Sequence, residues 1–108
     1  MTSDKPLEVN EIMSLIQNRW GVTYELIVRA KGKSLYLQMM WGFLEKQSFH
    51  LTDEEYRNNL AKVLEIVHRL GQSEKVKTWL LQINSKPILG RALSLHLKGD
   101  WRLEEFVL

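Results

Sequence analysis

No cysteine occurs anywhere in the 108 residues, and that absence removes disulfide frameworks, thiol nucleophiles, iron–sulfur ligation and thiolate zinc sites. Glycine is sparse, six residues in all, and their dispersal matches neither a P-loop nor a dinucleotide-binding turn. No apolar run approaches the roughly 20 residues that a bilayer-crossing helix needs. The stretch Met1–Pro6 is polar, without the apolar core of a secretory leader, so the expectation is a cytoplasmic protein with no membrane insertion. Neither sign of charge prevails: fifteen Lys and Arg stand against thirteen Asp and Glu, a net charge of +2. That balance gives no bulk electrostatic argument for nucleic-acid or membrane binding.

What is present suffices for one folded core. The chain is 44% hydrophobic and 26% charged, far from the signature of disorder, and its length is that of one domain. A single domain over 1–108 is expected, less ordered at 1–6 and 98–108. From Leu7 to Trp20, the residues Val9, Ile12, Met13, Leu15, Ile16 and Trp20 recur at three- and four-residue steps, and Gly21 follows as a helix stop. The period then becomes two: Val22, Tyr24, Leu26, Val28 and Ala30 alternate with Thr23, Glu25, Ile27 and Arg29. Lys31-Gly32-Lys33 supplies a short turn, after which Leu35, Leu37, Met39, Trp41 and Phe43 resume the alternation as the second arm of a hairpin.

Thr52 and Glu55 have capping-box spacing. The helix they open carries Tyr56, Leu60, Val63, Leu64, Val67 and Leu70 in one stripe and stops at Gly71. Ser73 is placed to cap a shorter helix with Val76, Trp79, Leu80 and Ile83 on one side, closed by Lys86-Pro87. From Ile88 a third strand is expected, with Leu89, Arg91, Leu93, Leu95 and Leu97 on one face and Gly90, Ala92, Ser94 and His96 on the other. Gly99 and Asp100 end it, and Trp101–Leu108 reads as a turn or two of helix, with a strand as the alternative. The order α-β-β-α-α-β predicts an α+β fold: a small, mainly antiparallel sheet of about three strands with helices packed on one face.

Reactive constellations are scarce. His50, His68 and His96 fall on three different elements without helical metal-pair spacing, and they read as packing or surface residues rather than ligands. Asp53, Glu54 and Glu55 occupy a first helical turn, where carboxylates meet the positive end of the helix dipole. No serine has a nucleophile-elbow context. Neither a metal nor a cofactor is expected. Trp20, Trp41 and Trp79 fall on expected core faces, where their area helps a small domain; Trp101 follows the last alternating segment.

Several blocks together resemble a known family: Trp20-Gly21, Gln38-Met39-Met40-Trp41, Leu44-Glu45-Lys46-Gln47-Ser48-Phe49, Glu55-Tyr56, Lys86-Pro87 and Gly90-Arg91-Ala92-Leu93-Ser94-Leu95. They are similar to a small domain-of-unknown-function family of cyanobacteria and chloroplasts, over about residues 10 to 97 and short of the tail. The resemblance implies a photosynthetic setting, stromal in plastid relatives, and transfers no catalytic residue.

Three functional readings follow. The first is a non-enzymatic protein-interaction or assembly factor, binding a protein partner through Tyr36, Gln38 and Met40 on the uncovered sheet face and through Lys86, Gly90 and Arg91, because Tyr, Met and Arg are interface residues. The second is a single-stranded nucleic-acid module using Arg29, Lys31, Lys33 and Tyr36. The third is an enzyme pairing His96 with Glu25 across the outer face. An uncovered sheet also leaves homodimer formation open.

Overall fold

The computed structural model describes residues 4–99. Its elements are α1 (Val9–Trp20), β1 (Tyr24–Lys31), β2 (Ser34–Phe43), α2 (Asp53–Arg69), α3 (Ser73–Gln82) and β3 (Leu93–Lys98), in the expected order. The strands form one antiparallel sheet in the order β1-β2-β3. The reading of the tail from Asp100 onward lies outside the described residues.

Local chemistry accounts for the boundaries. Gly21 takes φ 80°, a conformation costly for other residues, and its amide closes α1 on the Gln17 carbonyl at 2.8 Å. At α2 the capping box forms in both directions: the Glu55 amide donates to Thr52 Oγ1 at 3.1 Å and the Thr52 amide donates to Glu55 Oε1 at 2.8 Å. Between β1 and β2, Lys31 pairs with Ser34 across a two-residue turn in which Gly32 supplies φ 61°.

Alternation sets the two faces of the sheet. Tyr24 and Leu26 of β1, Leu35, Leu37 and Met39 of β2, and Leu97 of β3 are buried. They pack with Ile12 and Ile16 of α1, Tyr56, Leu60, Val63, Leu64 and Val67 of α2, and Val76 and Leu80 of α3. The i, i+4 spacing of these helical residues builds the apolar stripes that cover one sheet face. Tyr56 pins α2 to the sheet by donating its phenol to the Tyr24 carbonyl at 2.6 Å.

Three local expectations are corrected. Trp41 does not join the core, although Trp20 and Trp79 pack against it. Tyr24 pairs with Phe43 and Leu26 with Met39, which leaves Met40, Trp41 and Gly42 facing Glu25 alone. This bulge interrupts the alternation, and Phe43 is the ring beside Tyr24, edge-on at 6.0 Å. Ser73 does not cap α3, whose N-cap position is Gln72. The cap comes from Asp4, which accepts the amides of Ser73 and Glu74, each at 3.0 Å. Finally, β3 starts at Leu93, not Ile88. Residues 88–91 instead form a tight turn closed by Arg91 N to Ile88 O at 2.8 Å and Ile88 N to Arg91 O at 3.1 Å. Gly90 holds φ 83° at its corner, and Leu89, expected on the inner face, is 85% exposed.

Candidate functional site

All three helices contribute to the apolar layer on one side of the sheet, and no described helix covers the other side. Register composes that open face in rows. Ile27 of β1 pairs with Gln38 of β2, which pairs with Ser94 of β3; Arg29 pairs with Tyr36, which pairs with His96. The side chains couple across the strands, Gln38 Nε2 donating to Ser94 Oγ at 3.0 Å, and the Tyr36 and His96 rings meeting edge-on at 5.2 Å. Met40 extends the Tyr36–Gln38 strand toward the bulge, half-buried but outside the core. The result is a mixed surface: Ile27, Tyr36 and Met40 give apolar and aromatic area, Gln38 and Ser94 give amide and hydroxyl groups, and Arg29 gives charge.

Of the residues expected to bind a partner, Tyr36, Gln38 and Met40 therefore share one surface. Lys86, Gly90 and Arg91 sit apart on the 86–91 turn, all exposed. Gly90 has open space around its Cα, so its part there is to let the chain reverse. Arg29 and Tyr36 are direct neighbours, and Lys31 and Lys33 flank them at the exposed hairpin tip. Glu25 and His96 are not brought together. They occupy the two outer strands, offset by about 13 Å along the sheet at ~3.3 Å per residue, and Glu25 instead bonds His50 at 3.0 Å.

Cavities do not relieve this lack of convergent groups. One of about 330 Å³ lies between Pro6–Val9 and α2, one of about 380 Å³ lies between Lys5–Leu7 and α3, and one of about 300 Å³ lies among α1, Leu44, Glu45 and the start of α2. The polar groups of the third are largely committed to one another. Glu45 accepts both the amide and the hydroxyl of Thr23, at 2.8 and 2.6 Å, and Arg57 bridges Asp53 and Asn10 at 2.8 and 2.6 Å. Burial alone would raise the Glu45 carboxyl, but the hydrogen bonds from Thr23 outweigh it and hold the group below its ordinary range. The same holds at Asp4, where burial opposes and the amides of Glu74 and Ser73 prevail. Among the described residues, no three of His, Asp and Glu gather as a metal set. No described helix is long and apolar enough to cross a membrane.

The family described as a domain of unknown function, DUF3067, matches residues 10–107. The chain belongs to this family. The match takes in the tail, which the motif blocks in the sequence stop short of. The solution NMR structure of the Alr2454 protein from Nostoc sp. strain PCC 7120, a cyanobacterium, is similar to this fold with a TM-score of 0.80 and 32% identity, over 94% of this chain and 98% of that one. No curated protein matches the chain.

The surfaces that sequence reasoning missed are Trp41, Ile88 and Leu89. For the last two a signal was available: Pro87 and Gly90 bracket a two-residue apolar step, which is turn punctuation inside an apparently alternating run.

Proposed function

We propose that the protein is a non-enzymatic interaction or assembly factor that binds a protein partner through the open sheet face around Tyr36, Gln38 and Met40, with the 86–91 turn as a second contact. The observation that carries this reading is the face itself: Ile27, Tyr36 and Met40 remain partly accessible on a sheet whose helices all serve the other side. Surfaces that combine aromatic, Met and Arg side chains with paired polar groups suit protein recognition. The cyanobacterial relative favours a photosynthetic setting, with assembly or maintenance of a complex as the process. The test is affinity purification of the tagged protein from its native cells, with Gln38→Ala, Met40→Asp and Arg91→Glu in parallel. A defined protein complex that disappears in the Met40 variant is expected. Retention of every partner by all three variants would discard this surface.

One observation favours a second reading, binding of single-stranded nucleic acid. Arg29, Tyr36 and His96 form a cation–aromatic–imidazole row beside Lys31 and Lys33, a stacking platform with phosphate contacts at its rim. On this reading, fluorescence anisotropy with labelled single-stranded RNA gives binding that falls steeply with salt and weakens in Tyr36→Ala. Salt-insensitive binding, or none, eliminates it.

A further inference from the structure

The 86–91 turn has a chemistry of its own. Leu89 is 85% exposed and Ile88 51% exposed, adjacent at a convex tip. Two backbone hydrogen bonds between Ile88 and Arg91 and the left-handed Gly90 fix that tip in shape. Its base is fastened to the body: Pro87 is buried and Trp20 Nε1 donates to the Ser85 carbonyl at 3.2 Å. A rigid turn that presents two large aliphatic side chains to water is unusual for a surface loop, where polar residues prevail.

Along the described chain on either side of the tip, charge has one sign. Residues 75–99 include no Asp or Glu, whereas they hold Lys75, Lys77, Lys86, Arg91 and Lys98. Lys77 is paired with Glu11 at 2.8 Å and Lys75 is occupied by the His96 carbonyl at 2.8 Å. Lys86 and Arg91 are exposed and bond no carboxylate among the described residues. The tip carries no aromatic ring, and a convex aliphatic point within a rim of cations complements a deformable anionic surface better than a flat protein face.

We propose that the 86–91 turn docks on an anionic lipid surface, with Ile88 and Leu89 entering the headgroup layer and Lys86 and Arg91 meeting lipid phosphates. This assigns to a lipid surface the turn offered above as a second protein contact, and it does not depend on the sheet face having a protein partner. It describes a peripheral contact, with two aliphatic side chains and a pair of cations giving weak, reversible attachment.

The test is co-sedimentation of the full chain with vesicles of phosphatidylglycerol mixed into phosphatidylcholine, and with phosphatidylcholine vesicles alone. Three variants are run in parallel: Leu89→Asn, the double variant Lys86→Glu/Arg91→Glu, and Met40→Asp. The wild type is expected to bind only the phosphatidylglycerol vesicles and to lose binding as salt rises. Leu89→Asn weakens binding about tenfold, each charge reversal weakens it about fivefold or more, and Met40→Asp leaves it unchanged. Circular dichroism melts matching the wild type establish that the tip variants fold. Equal binding to both vesicle types, or binding to neither, overturns the proposal. Should the tip variants lose a protein complex while the wild type ignores vesicles, the turn belongs to the protein partner instead.

Discussion

Tyr56 shows how much a single side chain can hold in so small a core. It is 2% exposed, and its phenol is the hydrogen-bond donor to the Tyr24 carbonyl. Burial, reinforced by the nearby carboxylates of Glu25 and Glu45, pushes that phenol far above the usual tyrosine range. Tyr56→Phe leaves the carbonyl without its donor and is expected to cost about 1–3 kcal/mol. At roughly 4–8 °C per kcal/mol for a domain of this size, the loss is visible in a thermal melt. An unchanged melting temperature would mean that the carbonyl finds another donor. Ile12, Ile16, Leu37, Met39 and Leu80 are legible because each follows the period of its element, and all are fully buried. Trp41 is harder to read, because it keeps the period of its strand while a bulge opposite Glu25 changes the register, and the isolated Gly42 at the far end of that bulge is its one mark in the sequence.

Among elements, α3 is the one whose start depends on another part of the chain. Sequence pattern places its apolar face correctly, with Val76 and Leu80 buried, but offers Ser73 as its own cap. The actual cap is Asp4, 69 and 70 positions away from the amides it accepts, and no local rule reports a contact of that span. Asp4→Ala is expected to destabilise the protein by about 1 kcal/mol, within the range for losing an N-cap. Asp4→Asn, which keeps one acceptor oxygen, is expected to cost less. Equal melting of the alanine variant and the wild type would show that water replaces the carboxylate freely. The open sheet face, by contrast, is readable in advance, because the hairpin alternation that buries Leu37 and Met39 obliges Tyr36, Gln38 and Met40 to the opposite side. The 86–91 turn is marked in the sequence only by Pro87 and Gly90, since its apolar residues imitate a continuing strand.

For the molecule as a whole, the carboxylates set the acid limit of stability. Asp4 and Glu45 have folded-state values below their ordinary 3.8 and 4.5, so each stabilises the fold fully above those values. That contribution is lost as pH falls through the lowered ones. Calorimetry is expected to give a melting temperature nearly level from about pH 7 to 5 that declines below about pH 4. The decline should be shallower in Asp4→Ala and in Glu45→Gln. A decline of the same steepness in both variants would assign it to other groups. At the alkaline end the sign reverses: the raised Tyr56 phenol leaves stability intact below about pH 10, and it falls above that as the unfolded chain ionises first.

The Asp4 cap also has a kinetic reading. Docking Asp4 against α3 closes a span of 69 positions, a larger entropic cost than closing the hairpin or any one helix. The first turn of α3 is then completed only when the opposite end of the described chain arrives. The amides of Ser73 and Glu74 thereby become reporters: their hydrogen exchange tracks the undocking of Asp4 rather than the melting of the helix that contains them.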